Sequence, residues 1–334
     1  MSTSYSQSQM QQGPFVVMGG LGFMGSHLCR CLLLRGCCVR IFDKLYASHE
    51  LIKDFEADVE IIEGDVERPQ DVIKALEDAE RLIYLVHTTV PGSSMNDPVY
   101  DVTSNVVAAV KWLQRLSETK VREIVFISSG GTVYGVPKTN RVDESHPTDP
   151  ISSYGITKLA IEKYVAMYST MFGVEYRILR PSNVYGPGQR LQIGQGVIGV
   201  MADRALRGQP LEIWGTGENL RDYLYIDDLV SAVVSILAYK GSHRVFNVSS
   251  GTGHSVLDII SILGTQLGRL PELLYQPARA FDVPVNVLDA SRLRSSTEWS
   301  PKTDLETGIA RTVEWLRTME RPVEKTIDEG EHLH

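Results

Sequence analysis

The first half of the chain alternates short apolar runs with longer segments of helical periodicity. The runs are rich in Val and Ile and predict strands at Phe15–Met18, Val39–Phe42, Val59–Ile62, Leu82–Val86 and Ile124–Ile127. Helices are predicted between them, at Phe23–Leu34, Pro69–Glu77 and Val99–Leu116. Strands that are apolar on both faces and regularly separated by helices form a parallel sheet covered on both sides. The pattern therefore predicts an α/β fold with a doubly wound, Rossmann-type sheet.

The pattern loosens after Arg180, where a smaller, loop-rich C-terminal lobe is expected to begin. Helices are predicted farther on, at Gly196–Leu206, Ser255–Leu267 and Leu305–Thr318. A strand at Arg244–Val248 is expected to rejoin the first sheet, so the two lobes interleave along the chain. We therefore assign residues 14–180 and about 222–257 to the sheet domain, residues 181–221 and about 258–318 to the second lobe, and residues 1–13 and 319–334 to a disordered lead and a frayed tail.

Charge and hydropathy exclude several classes of partner. The 334 residues include 33 Lys and Arg against 41 Asp and Glu, a net charge of -8 without a basic stripe, so nucleic acid is not an expected partner. Apolar runs stay well short of the roughly 20 residues that a membrane span needs. The first 13 residues, rich in Ser and Gln, lack the apolar core of a signal peptide, which indicates a cytoplasmic protein.

All four cysteines lie close together in the sequence, at Cys29, Cys31, Cys37 and Cys38. Their spacing matches no common zinc pattern. Small buried thiols explain them better, and no metal site is predicted.

A glycine-rich loop, GGLGFMG, follows the first strand directly. Its glycines Gly19, Gly22 and Gly25 are spaced three apart, and the next residues open a helix. Glycines here let the chain turn tightly and let backbone amides approach a pyrophosphate at the positive end of the helix. Because the loop lies between the first strand and the first helix, it predicts a dinucleotide site rather than a structural turn.

Two acidic residues follow the next strands. Asp43 closes the second strand, where a carboxylate accepts hydrogen bonds from the adenosine ribose and repels a 2′-phosphate, so NAD is favoured over NADP. Its neighbour Lys44 weakens this preference, and a solvated loop acid is the alternative interpretation of Asp43. Asp65 follows the third strand, where it either meets the adenine or only caps the local turn.

Tyr154 and Lys158 lie four residues apart in a segment whose later residues have helical spacing, so both side chains emerge on one face. A lysine ammonium beside a phenol favours the phenolate and lowers a pKa that is ordinarily about 10, which prepares the tyrosine to act as a base. The same spacing recurs at Tyr134 and Lys138, but Gly135 and Pro137 break any helix there. The Tyr154 pair gains its meaning from the dinucleotide loop that precedes it.

The chain resembles the extended short-chain dehydrogenases and reductases, in particular the NAD-dependent sugar epimerase and dehydratase family. The likeness runs from about Phe15 to Leu316 and rests on GGLGFMG, Asp43, GDV, SSGGTVYG, YGITK, LRPSNVYGPGQ and WGTGENLRDYLYIDD. It implies NAD as cofactor and a cofactor site formed by Gly19, Gly22, Phe23, Met24, Gly25, Asp43, Asp65, Val66, Val86, Tyr154 and Lys158.

The resemblance also implies a Ser or Thr that assists the tyrosine, and its usual position falls on Gly130 here. The assisting group is then Thr132, which we favour, or Ser129, or a water molecule. Family dehydratases and decarboxylases commonly carry Asp or Glu in the same loop, and SSGGTVYG contains neither. Epimerisation through a 4-keto sugar is therefore favoured over dehydration.

The second lobe is expected, by resemblance to UDP-sugar 4-epimerases, to bind a nucleotide-diphosphate sugar. The resemblance implies that Asn183, Arg221 and Arg279 bind the phosphates. It also implies that Ile213 and Trp214 lie beside the base. A surface or interlobe ion pair is the alternative for each arginine. Asn286 stands where epimerases vary a gate for N-acetyl groups, and Arg190 where uronic acid epimerases contact a carboxylate, although those enzymes tend to carry Thr in place of Asn183.

The sequence therefore predicts a UDP-sugar 4-epimerase that holds NAD throughout its cycle. Alternatives are a nucleotide-sugar dehydratase, decarboxylase or reductase of the same family, and a non-catalytic protein that senses dinucleotides. His87 either lines the nicotinamide side or is a half-buried strand histidine. The resemblance implies a homodimer through a four-helix bundle of the helices at Val99–Leu116 and Tyr154–Met171.

Overall fold

The computed structural model describes residues 13–191, 196–278 and 283–319. Its strands are β1 (Phe15–Met18), β2 (Val39–Asp43), β3 (Glu60–Glu63), β4 (Arg81–Tyr84), β5 (Glu123–Ile127), β6 (Glu175–Pro181), β7 (Asn183–Tyr185), β8 (Leu211–Trp214), β9 (Leu220–Tyr225), β10 (Val245–Val248), β11 (Gly253–His254), β12 (Leu273–Gln276) and β13 (Val285–Asn286). The five strands predicted in the first half are confirmed, each with its ends shifted by no more than two residues.

Seven strands form one parallel sheet in the order β10-β6-β5-β4-β1-β2-β3. The predicted doubly wound sheet is confirmed, and so is the return of the strand near residue 245, since β10 pairs with β6. The order reverses between β1 and β4. Ligands of such sheets bind beyond the carboxyl ends of the strands at this reversal.

The helices are α1 (Phe23–Leu33), α2 (Pro69–Ala75), α3 (Pro91–Asn96), α4 (Pro98–Asp101), α5 (Ala108–Leu113), α6 (Ser153–Phe172), α7 (Val197–Leu206), α8 (Ile226–Ala238), α9 (Val256–Leu267), α10 (Ser291–Thr297) and α11 (Leu305–Thr318). Short 3-10 turns lie at Glu50–Ile52, Glu56–Asp58 and Leu116–Glu118. Within the described ranges, no helix is both long and apolar enough to cross a membrane.

The prediction of one continuous α-helix over residues 99–116 is wrong, because the segment changes its helical type twice. A π-helical segment, Val102–Val107, separates α4 from α5. Two consecutive polar residues of this segment contact Thr88, which follows β4. The Ser104 hydroxyl lies 2.6 Å from the Thr88 hydroxyl, and the Asn105 side-chain oxygen accepts the Thr88 N–H at 2.9 Å.

Apolar side chains cover both faces of the large sheet. Along β1, Phe15 and Val17 pack into one buried cluster with α1 and α8, whereas Val16 and Met18 pack into the other with α2 and α5. This alternation follows from the two-residue repeat of a strand. Burial on both faces explains why a central strand such as β1 is apolar at every position.

Two small sheets, formed by strands that follow β6, lie beside the carboxyl edge of the large one. In one of them, β9 pairs with β7, β11 and β13. In the other, β8 pairs with β12. These pairings bring residues near 183, 214 and 221 over the same edge that carries the glycine loop.

The cysteines are free thiols, and the expectation that all four are buried is wrong for one of them. Cys29 and Cys37 are buried, Cys31 is half-buried and Cys38 is exposed. Cys37 and Cys38 are adjacent at the entry to β2, so their side chains point to opposite sides of the extended chain.

Candidate active site

The glycine loop brings its backbone close to the first turn of α1. Gly19 has φ +88°, and its oxygen accepts the N–H of Gly22 at 3.1 Å. A Cβ atom on Gly25 would lie 2.1 Å from that same oxygen, so no side chain fits. The loop therefore leaves the amides at the start of α1 open to a ligand at the carboxyl edge, as a pyrophosphate requires.

The Asp43 carboxylate at the end of β2 is held by the glycine loop. Its Oδ2 accepts the N–H of Leu21 at 3.0 Å, and its Oδ1 accepts the N–H of Lys44 at 2.9 Å. The carboxylate is half-buried and keeps further lone pairs for ribose hydroxyls. This position fits NAD, because the negative charge repels a 2′-phosphate.

Asp65 caps a turn. Its Oδ1 accepts the N–H of Glu67 at 2.9 Å, which is the local alternative considered from the sequence. A contact with adenine stays a prediction. Val66 is buried after β3, and Val86 lies against the loop, 3.4 Å from the Cβ position of Gly19.

Tyr154 and Lys158 lie in the first turns of α6, which we call the catalytic helix. The helix begins at its N-cap, Ser152, whose hydroxyl accepts the N–H of Gly155 at 3.2 Å. The Nζ atom of Lys158 donates to the backbone oxygen of Ile127 at 2.9 Å and lies 5.9 Å from the centre of the Tyr154 ring. The two side chains therefore lie on one face of the helix, as their spacing predicted, and Lys158 also reaches the end of β5.

The electrostatics of this pair differ from the sequence-based expectation. Burial lowers the pKa of Lys158 to about 7, although the carboxylates of Glu162 and Asp101 oppose the shift. Burial and the charge of Asp101 raise the pKa of Tyr154, whereas the lysine was expected to lower it. Desolvation penalises the charged form of each side chain and is the largest cause of both pKa shifts.

The loop after β5 places two hydroxyls in the cleft. Ser129 and Thr132 both line it, and the Thr132 hydroxyl lies 3.4 Å from the Ser129 backbone oxygen. At Gly130 a Cβ atom would lie 2.3 Å from Leu288 Cδ1, whereas at Gly131 the nearest atom is Asn183 Oδ1 at 3.8 Å. The open position is therefore Gly131, and Gly130 faces the protein interior.

A buried ion pair between Arg180 and Glu162 lies next to the site. Arg180 donates to both carboxylate oxygens of Glu162, at 2.9 and 2.6 Å, and to the Tyr134 hydroxyl at 3.0 Å. Tyr134 in turn donates to Asn247 at 2.7 Å. Tyr134 lies in a turn and is fully buried, so the second Tyr-Lys match in the sequence is structural, as expected.

A cleft of about 460 Å³ opens above these residues. Many predicted residues line it together: Phe23, Met24, Ser129, Thr132, Tyr154, Asn183, Ile213, Trp214 and Arg221. The Asn183 amide donates to the backbone oxygen of Asp222 at 2.9 Å, which fixes its orientation. Catalytic and nucleotide-binding candidates from the two lobes thus share one cavity.

Other predicted residues lie elsewhere. Asn286 is buried, and its side-chain amide donates to the Gly131 backbone oxygen at 3.1 Å. It therefore helps to hold the loop that follows β5 in place. Arg190 is exposed, while its neighbour Gln189 lines the cleft. Arg279 lies outside the described residues.

Sequence reasoning missed several residues that shape the site. Pro91, Met201, Glu212, Asn219 and Tyr223 line the cleft from elements that are distant in sequence. The buried carboxylate of Asp101 was also missed. Its only sequence signal is an acid within a predicted helix, which is ordinarily a solvated position.

Comparisons with known proteins agree with this geometry. The sequence profile of the NAD dependent epimerase/dehydratase family matches residues 15–249. A UDP-glucose 4-epimerase from Mycolicibacterium smegmatis is 32% identical over 310 residues, covering 90% of this chain and 98% of the relative. The Thermotoga maritima UDP-glucose 4-epimerase solved with UDP-glucose is 31% identical, with a TM-score of 0.86 over 91% of this chain and 98% of that one.

A second solved relative includes the cofactor. The Thermus thermophilus UDP-glucose 4-epimerase, in complex with NAD, is 30% identical and has a TM-score of 0.84 over 91% of this chain and 99% of that one. The glycine loop and the Asp43 carboxylate of this chain fit the same dinucleotide. The chain belongs to the NAD dependent epimerase/dehydratase family, and its cofactor is NAD.

Proposed function

We propose that this chain catalyses the 4-epimerisation of a UDP-sugar through a 4-keto intermediate. The observation that supports this most directly is the composition of residues 128–135, which follow β5 beside Tyr154. These residues supply the hydroxyls of Ser129 and Thr132 to the cleft and include no carboxylate. Proton exchange at one sugar hydroxyl needs only Tyr154, whereas dehydration needs further acid and base groups at neighbouring carbons.

In the proposed reaction the Tyr154 oxygen removes the proton of the sugar 4-hydroxyl and later returns it. The ammonium form of Lys158 favours the phenolate, and its bond to Ile127 holds the lysine beneath the tyrosine ring. NAD, when bound, supplies the redox chemistry at carbon 4. Since the proton is taken and returned, Tyr154 ends the cycle in the state in which it began.

The nucleotide part of the substrate is assigned to the second lobe. Arg221 and Asn183 line the cleft where a diphosphate is expected, and an arginine fork pairs well with phosphate oxygens. Ile213 and Trp214 border the position of the base. Uridine is favoured because the relatives named above act on UDP-glucose, and the sugar is left open.

Proton NMR of the purified chain with UDP-glucose, UDP-N-acetylglucosamine or UDP-glucuronate tests the reaction. We expect one of these to give its 4-epimer without added NADH, and Tyr154→Phe to abolish the conversion. A keto or hydrate signal, release of carbon dioxide, or dependence on added NADH would identify another reaction of the family. Each variant can also replace the wild type in cells. If the phenotype of the wild type is kept by Tyr154→Phe and lost by Asp43→Ala, the chain acts as a dinucleotide sensor.

The group that assists Tyr154 is distinguished by Thr132→Val and Ser129→Ala. Both side chains line the cleft. We propose Thr132 as the assisting hydroxyl, so Thr132→Val is expected to lower kcat by about 10-fold or more and Ser129→Ala to change it little. Equal small effects from both variants would point to a water molecule instead.

We also propose that the chain forms a homodimer through the catalytic helix and the helices of residues 98–113. Large apolar side chains are exposed on both, including Val99 at 76%, Ile156 at 53% and Met171 at 63%. Apolar surface of this kind is typical of an interface between subunits. Sedimentation of Val99→Asp is expected to show a monomer, whereas Leu34→Asp, at an exposed position just after α1, is expected to stay dimeric.

A further inference from the structure

Asp101, at the end of α4, is a fully buried carboxylate that collects hydrogen bonds from three elements. Its Oδ1 accepts from the Thr89 hydroxyl and from the Asn105 amide at 3.0 Å. Its Oδ2 accepts from the Ser153 hydroxyl at 2.6 Å and from the Thr157 hydroxyl at 3.2 Å. Ser153 and Thr157 flank Tyr154 on the catalytic helix, so the carboxylate anchors the turn that carries the tyrosine.

Asp101 is ionised in the folded chain. Burial alone would raise the pKa of Asp101, but hydrogen bonds from His87, Ser153 and Thr89 outweigh it and hold the pKa at about 2. The position is also favourable for a negative charge, because the N-terminus of the catalytic helix is its positive end.

His87 lies between this carboxylate and the tyrosine. Its ring contacts the Tyr154 ring edge to face, with centres 4.6 Å apart and an angle of 72°. Its Nε2 lies 3.5 Å from Asp101 Oδ1 and 3.5 Å from the Thr157 hydroxyl. Its Nδ1 is buried and has no hydrogen-bond partner in the part of the chain that the structure describes.

These contacts define the protonation of the imidazole. Burial and the charge of Lys158 lower the pKa of His87 to about 4, so the ring is neutral near pH 7. A neutral imidazole carries one proton, and the nitrogen that faces a carboxylate is the one that holds it. His87 therefore presents N–H at Nε2 and a lone pair at Nδ1.

We propose that Asp101 and His87 form a positioning pair for Tyr154, which goes beyond the proposed epimerase function but rests on it. Asp101 fixes the imidazole at the end of β4 and, through Ser153 and Thr157, the helix turn opposite. The phenol ring is held between these two fixed points. His87 is absent from the cleft lining among the described residues, so it acts through the tyrosine and not on the sugar.

The charges around the phenol make the pair testable by pH. The titratable groups around Tyr154 are Asp101 on α4, His87 after β4 and Lys158 on the catalytic helix. Glu162, on the same helix, adds its charge to that of Asp101 at Lys158. The negative charge of Asp101 opposes formation of the phenolate. Asp101→Asn keeps the shape and removes the charge, so it is expected to move the acidic limb of the kcat profile to lower pH by roughly one unit.

Kinetics of His87 variants separate positioning from substrate binding. His87→Ala removes the surface against which the phenol ring rests and is expected to lower kcat by roughly 10- to 100-fold, with KM for the UDP-sugar unchanged within about twofold. His87→Phe keeps a ring in contact and is expected to restore much of kcat. A rise in KM with kcat unchanged, or no response of the acidic limb to Asp101→Asn, overturns the proposal.

A readout independent of turnover is the tautomer of His87. Nitrogen NMR of the labelled, NAD-loaded chain, with the signal assigned by its loss in His87→Ala, is expected to show Nε2–H near neutral pH. Asp101→Asn is expected to remove that preference, whereas Asp222→Asn, which alters another buried carboxylate held by serine hydroxyls, leaves it in place. Proton at Nδ1 in the wild type overturns the proposal.

The two hypotheses fail in different ways. If no UDP-sugar is epimerised but the tautomer responds to Asp101→Asn as described, the epimerase function is wrong and the pair stands as a device that positions Tyr154. If epimerisation is found and the tautomer and pH limb do not respond, the pair is wrong and the function stands.

Discussion

The Nζ atom of Lys158 donates a hydrogen bond to the backbone oxygen of Ile127 at 2.9 Å, and this bond joins the catalytic helix to the end of β5. Lys158→Met keeps much of the volume but removes both the bond and the charge beside Tyr154. We expect kcat to fall by about 100-fold or more, because the phenolate loses its cationic partner. Steady-state kinetics at matched NAD occupancy measure this, and Lys163→Met, a substitution on the same helix that leaves Lys158 in place, serves as control. Loss of NAD binding without loss of kcat in the loaded fraction would contradict the assignment.

The same lysine makes stability depend on pH. Burial lowers the pKa of Lys158 from 10.5 to about 7, so between these values the unfolded chain binds more protons than the folded one. The cost of burying the lysine is therefore fully present below pH about 7 and disappears toward 10.5. The free energy of unfolding of the wild type, relative to Lys158→Met, is expected to rise across this window. Denaturant unfolding at a series of pH values checks it, and a difference that is constant with pH would contradict the shift.

Adding a hydroxyl at Gly130 is expected to harm the fold. The new Cβ would lie 2.3 Å from Leu288 Cδ1 and 2.9 Å from the Arg180 backbone oxygen, and the second contact cannot move aside. Gly130→Ser is therefore expected to lower the free energy of unfolding by about 1–3 kcal/mol. Gly131→Ser, where the nearest atom is at 3.8 Å, is the matched control and is expected to change stability little. Equal stability of the two variants would contradict this, because it would show that Leu288 and the backbone at Arg180 shift to accommodate the new side chain.

Asp43 and Asp65 are expected to contribute unequally to NAD binding. Asp43→Ala removes the ribose acceptor and the acceptor for the Leu21 N–H, so the Kd for NAD is expected to rise by about 10-fold or more. Asp65→Ala removes a turn cap, which is expected to cost about 1 kcal/mol of stability and leave the Kd nearly unchanged. Calorimetric titration of both variants with NAD distinguishes them. A comparable loss of affinity for Asp65→Ala would establish the adenine contact.

Much of the site was predictable because its chemistry is encoded locally. Gly19, Gly22 and Gly25 lie within one loop, and Tyr154 and Lys158 lie on one helical face, so sequence spacing fixes their relative positions. The order of apolar runs then gave the sheet, because strands buried on both faces leave a clear pattern.

Other features were not predictable because they depend on contacts between distant segments. Asp101 looks like a surface acid until the fold surrounds it with Thr89, Ser153 and Thr157. The pKa of Tyr154 was expected to fall, and it rises because sequence spacing shows the lysine but not the burial or the nearby carboxylate. The π-helical turn after Asp101 likewise depends on how Asn105 meets Thr88 across the fold.

The return of the chain to the large sheet has a consequence for how this protein is made. β6 ends at residue 181, but its outer neighbour β10 spans residues 245–248. Until the ribosome has delivered those later residues, the outer edge of β6 has unpaired backbone groups and is open to pairing with other chains. Parallel strands that are far apart in sequence also pair slowly. Fragments that stop near residue 181 are therefore expected to aggregate, and we expect the residues up to 181 to reach their folded state only together with those of β10.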